Sequence, residues 1–451
     1  MIEDLQQLAE RLVSSGHHDE QIEAFLTHER EFNVKTYDGE VESLSSAEPR
    51  GAGVRVLIEG RVGFAYSTDL TDEGLRAVVE QARTNAAHTT PDDAVALADG
   101  WASPPPVMSE LVDEAQLQVG PEEKARFALA LEAATRAVDP RIRTVEEAVY
   151  SDSDSRIAIA TSTGVSGIYR RTDAWCYSFA IAEDGDDTQV GFEFDLGRGL
   201  SELDAEDVAR RAARRALDIL GATKIPSAKM PVVFDPYTAG QFLGVLGSAL
   251  TGEAVQKGRS LFAGKLEQQV ASGALTLIDD GTLSDAPGSS PWDAEGVLTE
   301  RTEVISDGIL QSFLYDLTSA RREGRDSTGN ASRMGFKSVP GPAPSNLAFE
   351  STGESREEVL RKAGRALLVQ DFHGVHSGAN AVSGDFSVGA TGRLIEDGEF
   401  TQAVKEVTIA APMTEILSNV LAVASDRRWL PFGGSFGGAT TLVSEMTVAG
   451  L

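Results

Sequence analysis

The chain has 451 residues, with 40 Lys and Arg against 70 Asp and Glu, a formal net charge of -30. That balance argues against a sequence-independent grip on DNA, RNA or an anionic membrane, each of which needs clustered cations. Hydrophobic residues at 41% and charged residues at 24% make an ordinary globular mixture, enough for about two or three domains of roughly 150 residues each.

The excess acid serves solubility first, and a field that favours basic peptides is the functional alternative. No run reaches the roughly 18 apolar residues of a membrane span. The opening MIEDLQQLAERLVSSG has no basic region ahead of an apolar block, so a soluble cytoplasmic protein is expected.

In chain order, Ile2, Leu5, Leu8 and Leu12 fall near one face of an amphipathic helix. A second helical segment is expected before Phe32. FNVKTYDGEVESLSSAEPRGAGVRVLIEGRVGFAYSTDL then reads as successive strands, turned at Asp38-Gly39 and Glu59-Gly60. Thr71 opens a helix with acidic residues in its first turn. The stretch HTTPDDAVALADGWASPPPVMS follows, and its Pro104-Pro105-Pro106 run resists helix and central strand alike. It marks the first boundary.

Pro121 suits the first position of a further helix. Strands follow, and a helix with Ser201 as N-cap and Gly221 as C-cap closes the block. Cys176, the only cysteine, alternates with Trp175, Tyr177, Phe179 and Ile181. A strand puts it on the face opposite those large side chains, as filler. The run Glu183-Asp184-Gly185-Asp186-Asp187 lacks the ligand spacing of a calcium loop and reads as a hairpin turn.

From about residue 229 come the strand MPVVFDP and a buried helix beginning near Asp235. The strands ALTLIDDG, GVLTERTEVISDGIL, QSFLYD and RALLVQDF follow, then a pair turned at Asp397-Gly398. A helix over PMTEILSNVLAVA and a last strand TTLVSEMTVAGL end the chain. The organisation expected is an N-terminal α/β domain at 1–100, a middle α/β domain at 117–222 and a strand-rich domain at 229–451. The fold class is α+β, two-layer α/β sandwich blocks followed by a strand-rich domain around a central buried helix.

Several ordered segments carry a resemblance. They are GAGVRVLIEGRVGFAYSTDL, QKGRSLFAGKL, LTLIDDGTL, DAEGVLTERTEVISDGIL, DSTGNASR, GDFSVGATGRLIEDGEF, EVTIA and MTVAG. Together they resemble the TldD/PmbA family, and GDFSVGATG is closer to its PmbA (TldE) branch. Catalytic members of that family are zinc peptidases with an HExxxH motif on the central helix and a Cys ligand in a Gly-rich segment near the C-terminus. Alignment on KGRSLFAG puts the six motif positions on Leu243, Gly244, Val245, Leu246, Gly247 and Ser248, with no His and no Glu. The Gly-rich LPFGGSFGGATTLV has no Cys.

The resemblance therefore implies a non-catalytic subunit, with no catalytic residue, no metal and no cofactor of its own. Its partner would be a TldD-like zinc peptidase chain, in a heterodimer that trims or degrades unfolded peptides. Leu243, Gly244, Gly247 and Ser248 would then line the peptide groove. The family's link to DNA gyrase would run through peptide substrates, since the charge opposes direct contact with nucleic acid.

Two alternatives stand beside it: a self-sufficient peptidase with a non-standard site, and a peptide-binding homodimer. His373 and His376 are the HxxH pair that a rebuilt metal site would use, though a hydrogen-bonded loop accounts for them more simply. His17, His18, His28 and His88 lie in polar segments. Ser435 matches G-x-S-x-G without the strand-before, helix-after context of a nucleophile elbow, and Ser387 has no assignable His-Asp partners.

Overall fold

The computed structural model describes residues 5–451. Its first helix, α1 (Leu5–Ser14), buries Leu5, Leu8, Ala9 and Leu12; Ile2 lies outside the described residues. Seven strands make the first sheet: β1 (Gln21–Tyr37), β2 (Glu40–Ala47), β3 (Arg50–Ile58), β4 (Arg61–Ser67), β5 (Ile142–Thr161), β6 (Ser166–Asp184) and β7 (Asp187–Gly197). Their spatial order is β4-β3-β1-β5-β6-β7, with β2 beside β1. Antiparallel pairing of β1 with β5 runs from Glu23↔Thr161 to Thr36↔Ala148. One sheet thus continues across the linker that follows residue 86.

The segment before Phe32 is strand and not the expected second helix. Ile22, Ala24 and Leu26 pack under α1 and α2 (Asp72–Ala86), while Phe25 joins Trp292 on the opposite face. Burial on both faces gives a continuous apolar run whose period does not separate helix from strand. Pairing with β3 on one edge and β5 on the other decides it.

The other half of the sheet is covered by α3 (Pro121–Ala137) and α4 (Ala205–Asp218), with Cys176 fully buried between them and the strand layer. The N-cap of α4 is Asp204, not Ser201: its carboxylate accepts the Asp207 N–H, and Leu200–Glu202 forms a separate 3-10 turn. The helix caps at Ile219, and Gly221 is left-handed in the turn beyond. The acidic run turns β6 into β7 at Asp184↔Asp187.

Two six-stranded sheets fill the C-terminal half. One runs Glu399–Ala410, Ser387–Glu396, Arg365–His373, Ala228–Phe234, Thr441–Ala449, Val420–Val423. The other runs Ile309–Leu310, Arg301–Ser306, Leu277–Asp280, Leu347–Phe349, Phe436–Gly438, Arg428–Leu430. Between them lies α5 (Pro236–Gly247), started by Asp235, whose side chain accepts the Tyr237 N–H, and by Pro236 at its first turn.

Two expectations fail in this half. QSFLYD has no ladder beyond a bridge at Leu314. PMTEILSNVLAVA divides into a short helix, Met413–Ser418, and the strand Val420–Val423, which pairs with the last strand at Val420↔Val443. The architecture is α+β, and among the described residues no helix is long and apolar enough to cross a membrane.

Candidate functional site

The face of α5 toward the second C-terminal sheet is made of glycines. A Cβ on Gly240 would meet Leu430 at 2.7 Å, one on Gly247 would meet Pro344 at 3.0 Å, and one on Gly244 would meet Phe436 at 3.4 Å. Gly438 answers from the sheet, where a Cβ would fall 1.9 Å from the Pro236 carbonyl. Helix and strand backbones thus approach closely because neither carries side chains there. Leu243 is fully buried in the core with Phe242 and Leu246, which removes it from any groove wall. Gly244 and Gly247 back onto Phe436 and Pro344, and Ser248 is exposed beyond the helix end.

Zinc at a catalytic site takes about three N, O or S ligands and an open position. The LGVLGS stretch offers one exposed hydroxyl, so these residues do not fit the metal. His373 ends its strand exposed, with Nε2 3.4 Å from Thr391 Oγ1, and His376 is exposed in the turn Val375–Gly378. Among the described residues no group of three or more His, Cys, Asp or Glu is arranged to hold a metal ion. Ser435 is buried and donates to Asn346 Oδ1 at 2.7 Å, with no imidazole attached. Ser387 is exposed at the start of its strand. Cys176 is sealed in the core, its thiol pushed well above the ordinary range by burial and by Asp195.

A large concavity lies elsewhere. A cleft of about 960 Å³ opens between the helix-free face of the first sheet and the C-terminal loops. Along β6 its floor presents Tyr169, Arg171, Asp173 and Trp175, alternate residues on one face. Arg171 makes a two-pronged pair with Asp173 (2.7 and 2.6 Å) and donates to the Pro287 carbonyl; Arg198 donates to the same Asp173 at 2.6 Å and to the Ala286 carbonyl at 2.8 Å. At one end Trp292 packs edge-on to Tyr169, centroids 5.0 Å apart. At the other, Phe432 packs on Phe194 at 5.3 Å and Trp175 at 6.3 Å.

Behind the cleft lies an ion network closed to solvent. Arg55 donates to both oxygens of Glu23 and, at 3.1 Å, to Glu295; Arg333 donates to Glu23 at 2.7 Å and stacks over the Phe25 ring at 4.3 Å. Burial alone would raise the Glu23 carboxyl, but Arg333 and Arg55 outweigh it and hold it below its ordinary value. Asp293, in the cleft wall, is pushed up by burial and by the neighbouring Glu295. Sequence reasoning missed this network as a site. All its members but Glu23 nevertheless come from segments that carried the resemblance: Arg55 from GAGVRV, Asp293 and Glu295 from DAEGV, Arg333 from DSTGNASR.

Comparison with known proteins agrees with this architecture. The C-terminal domain of the PmbA/TldA metallopeptidases matches residues 227–450, their central domain 114–220, and their domain 1 residues 22–86. Metalloprotease PmbA of Escherichia coli O157:H7 is 30% identical over 421 residues, 93% of this chain and 90% of that one. A PmbA homolog of Haemophilus influenzae is 28% identical, over 86% and 83%. A Thermotoga maritima crystal structure, named for modulation of a DNA gyrase, superposes with a TM-score of 0.90 at 26% identity, covering 99% of this chain and 100% of that one. TldE of Thermococcus kodakarensis shares the fold at a TM-score of 0.87 and 23% identity, with both chains fully covered. The chain belongs to the TldD/PmbA family of metallopeptidase-related proteins.

Proposed function

We propose that this chain is the PmbA/TldE-like, non-catalytic subunit of a TldD-type zinc metallopeptidase, and that it holds extended peptide in the cleft while a partner chain supplies the metal. The observation that carries the reading is the α5 face. Where catalytic relatives need imidazole and carboxylate, this chain has a core leucine, glycines closed off by Phe436 and Pro344, and one exposed hydroxyl. The cleft supplies what a positioning subunit needs: a concave wall with apolar rings at both ends and fixed polar groups between them.

The test measures metal content and peptide cleavage. Purified alone, the chain is expected to carry no stoichiometric zinc and to cleave no peptide in a chelator-sensitive way. Co-expressed with an HExxxH-bearing homologue from the same host, it is expected to co-purify and to raise that partner's cleavage of unfolded peptide. Stoichiometric zinc with chelator-sensitive cleavage by this chain alone would overturn the accessory reading. Isolation only as a self-associated dimer would favour a peptide-binding homodimer.

A further inference from the structure

The cleft has a length and a charge that no part of the fold uses. From Tyr169 to Trp175 is six steps along β6, about 20 Å at the strand rise of ~3.3 Å per residue, the span of about six or seven residues of extended peptide. Its three arginines have internal partners: Arg171 and Arg198 share Asp173, and Arg333 is paired with Glu23. Glu29, Glu110 and Asp285 line the same cleft outside those pairs, Glu29 accepting from Ser155 Oγ at 3.1 Å and within electrostatic reach of Arg171. The wall therefore carries unneutralised negative charge beside rings.

A second observation points to a ligand. Trp292, 3% exposed and lining the cleft, has an indole Nε1 without an acceptor among the described residues. A buried donor of this kind is costly while nothing accepts from it, which leaves one polar group of the cleft wall unsatisfied. At the far end Phe432 is 43% exposed on the Gly433-Gly434 loop, both glycines at positive φ, beside Trp175. This is an apolar end that one large side chain would cover.

We infer that the cleft selects extended peptides carrying a bulky apolar side chain at the Trp175–Phe432 end and a basic side chain facing Glu29 and Asp285. The inference rests on the peptide-holding role proposed above and adds the class of peptide. Charge complementarity discriminates between partners more than it adds raw affinity, so the selection appears as a contrast between peptides.

The experiment titrates the full chain with four end-blocked hexapeptides, pairing Phe or Ala at one end with Lys or Glu in the middle, and follows tryptophan fluorescence. The Phe/Lys peptide is expected to bind tightest. Exchanging Lys for Glu should weaken binding ~10-fold at low salt, a contrast that shrinks as ionic strength rises from about 0.05 M to about 0.5 M. Exchanging Phe for Ala should weaken it ~10-fold or more at either salt. The double variant Glu29→Gln/Asp285→Asn should lose the preference for Lys and keep that for Phe, while Trp175→Ala does the reverse.

Equal binding of the Lys and Glu peptides, or a Lys preference that survives in the double variant, overturns the inference. If the mixed pair with a zinc-bearing homologue cleaves without regard to charge, the accessory role stands and the selectivity falls. If none of the peptides binds, both the selectivity and the peptide-holding role fall.

Discussion

Arg333 Nη2 lies 2.7 Å from Glu23 Oε1, tying a C-terminal loop to the central strand of the first sheet across 310 residues of sequence. The guanidinium of Arg55 holds the same carboxylate and reaches Glu295, and all four side chains are at most 5% exposed. Two cations and two anions balance in a place where no one of them could stand alone. Glu23→Ala leaves Arg333 without its carboxylate and Arg55 with Glu295 alone, and breaking a buried pair from one side costs about 3–5 kcal/mol. The urea midpoint is the measurement, and a loss below ~1 kcal/mol would show the network to be dispensable. The pH dependence has a definite sign. Because the Glu23 carboxyl lies below its ordinary 4.5, its stabilisation is present above that value and is lost as pH falls through the lowered one. The deficit of the variant should therefore shrink in acid.

Asp279 behaves in the opposite sense. It is fully buried without a cation, accepts from Asn330 Nδ2 at 2.6 Å and from the Ser345 N–H at 2.9 Å, and burial pushes its carboxyl from 3.8 up to about 6. A raised carboxyl favours the folded state below its unfolded value, and that advantage is lost as pH rises through about 6. Asp279→Asn cannot ionise, so its stability relative to the wild type should rise by roughly 2–3 kcal/mol between about pH 4 and about pH 7. The extra strength of the Asn330 and Ser345 hydrogen bonds to the ionised form is already contained in the raised value, and the pH-independent part of their loss cancels from this difference. A variant-minus-wild-type gap that does not change with pH would refute the burial of an ionised Asp279.

What the sequence discloses about this fold follows the range of the interactions involved. The turns at Asp38-Gly39, Glu59-Gly60 and Asp397-Gly398 are legible because both residues of each pair take positive φ, from 49° to 90°, a demand met by the two residues themselves. The part of strand β1 before Phe32 is not legible, since its identity as strand depends on β3 and β5 supplying its edges. The same holds for Val420–Val423, which leaves a helical pattern to pair with the last strand. In the candidate site, the absence of metal ligands at Leu243–Ser248 and the burial of the helix are visible in the letters, whereas the turning of Leu243 into the core and away from a groove is not. The ion network leaves no periodic trace, because Glu23, Arg55, Glu295 and Arg333 meet only once the two halves close on each other.

The glycines between α5 and the strand Phe436–Gly438 divide into two kinds. At Gly438 a methyl would fall 1.9 Å from the Pro236 carbonyl and 2.4 Å from the Gly240 nitrogen, both backbone atoms that cannot turn aside. At Gly244 the nearest atom is Phe436 Cε2 at 3.4 Å, an ordinary contact, in a helix interior. Gly438→Ala should lose ~3 kcal/mol or more through overpacking. Gly244→Ala should be neutral or gain up to about 1 kcal/mol, because alanine restricts the unfolded chain and favours the helix. Thermal denaturation of the two variants side by side decides it. A loss at Gly244 as large as that at Gly438 would mean that the helix is closed against Phe436 as tightly there as the strand is against Pro236.

The sharpest check on the α5 reading is to write the missing motif back. Leu243→His/Gly244→Glu/Ser248→His restores the letters of HExxxH, but the surroundings remain those of this chain. Position 243 is fully buried among Phe242, Leu246 and the strand residues around them, so an imidazole there loses apolar packing and has no polar partner, which costs about 2–5 kcal/mol. A Glu side chain at 244 runs into Phe436, and position 248 lies beyond the end of α5, exposed. No cysteine stands in the Gly-rich segment to complete a ligand set. The triple variant should unfold earlier than the wild type, and added zinc should not raise its melting temperature, because a metal stabilises only a fold that already presents its ligands together. Stoichiometric zinc with a raised melting temperature would show instead that the peptidase geometry persists beneath the altered letters.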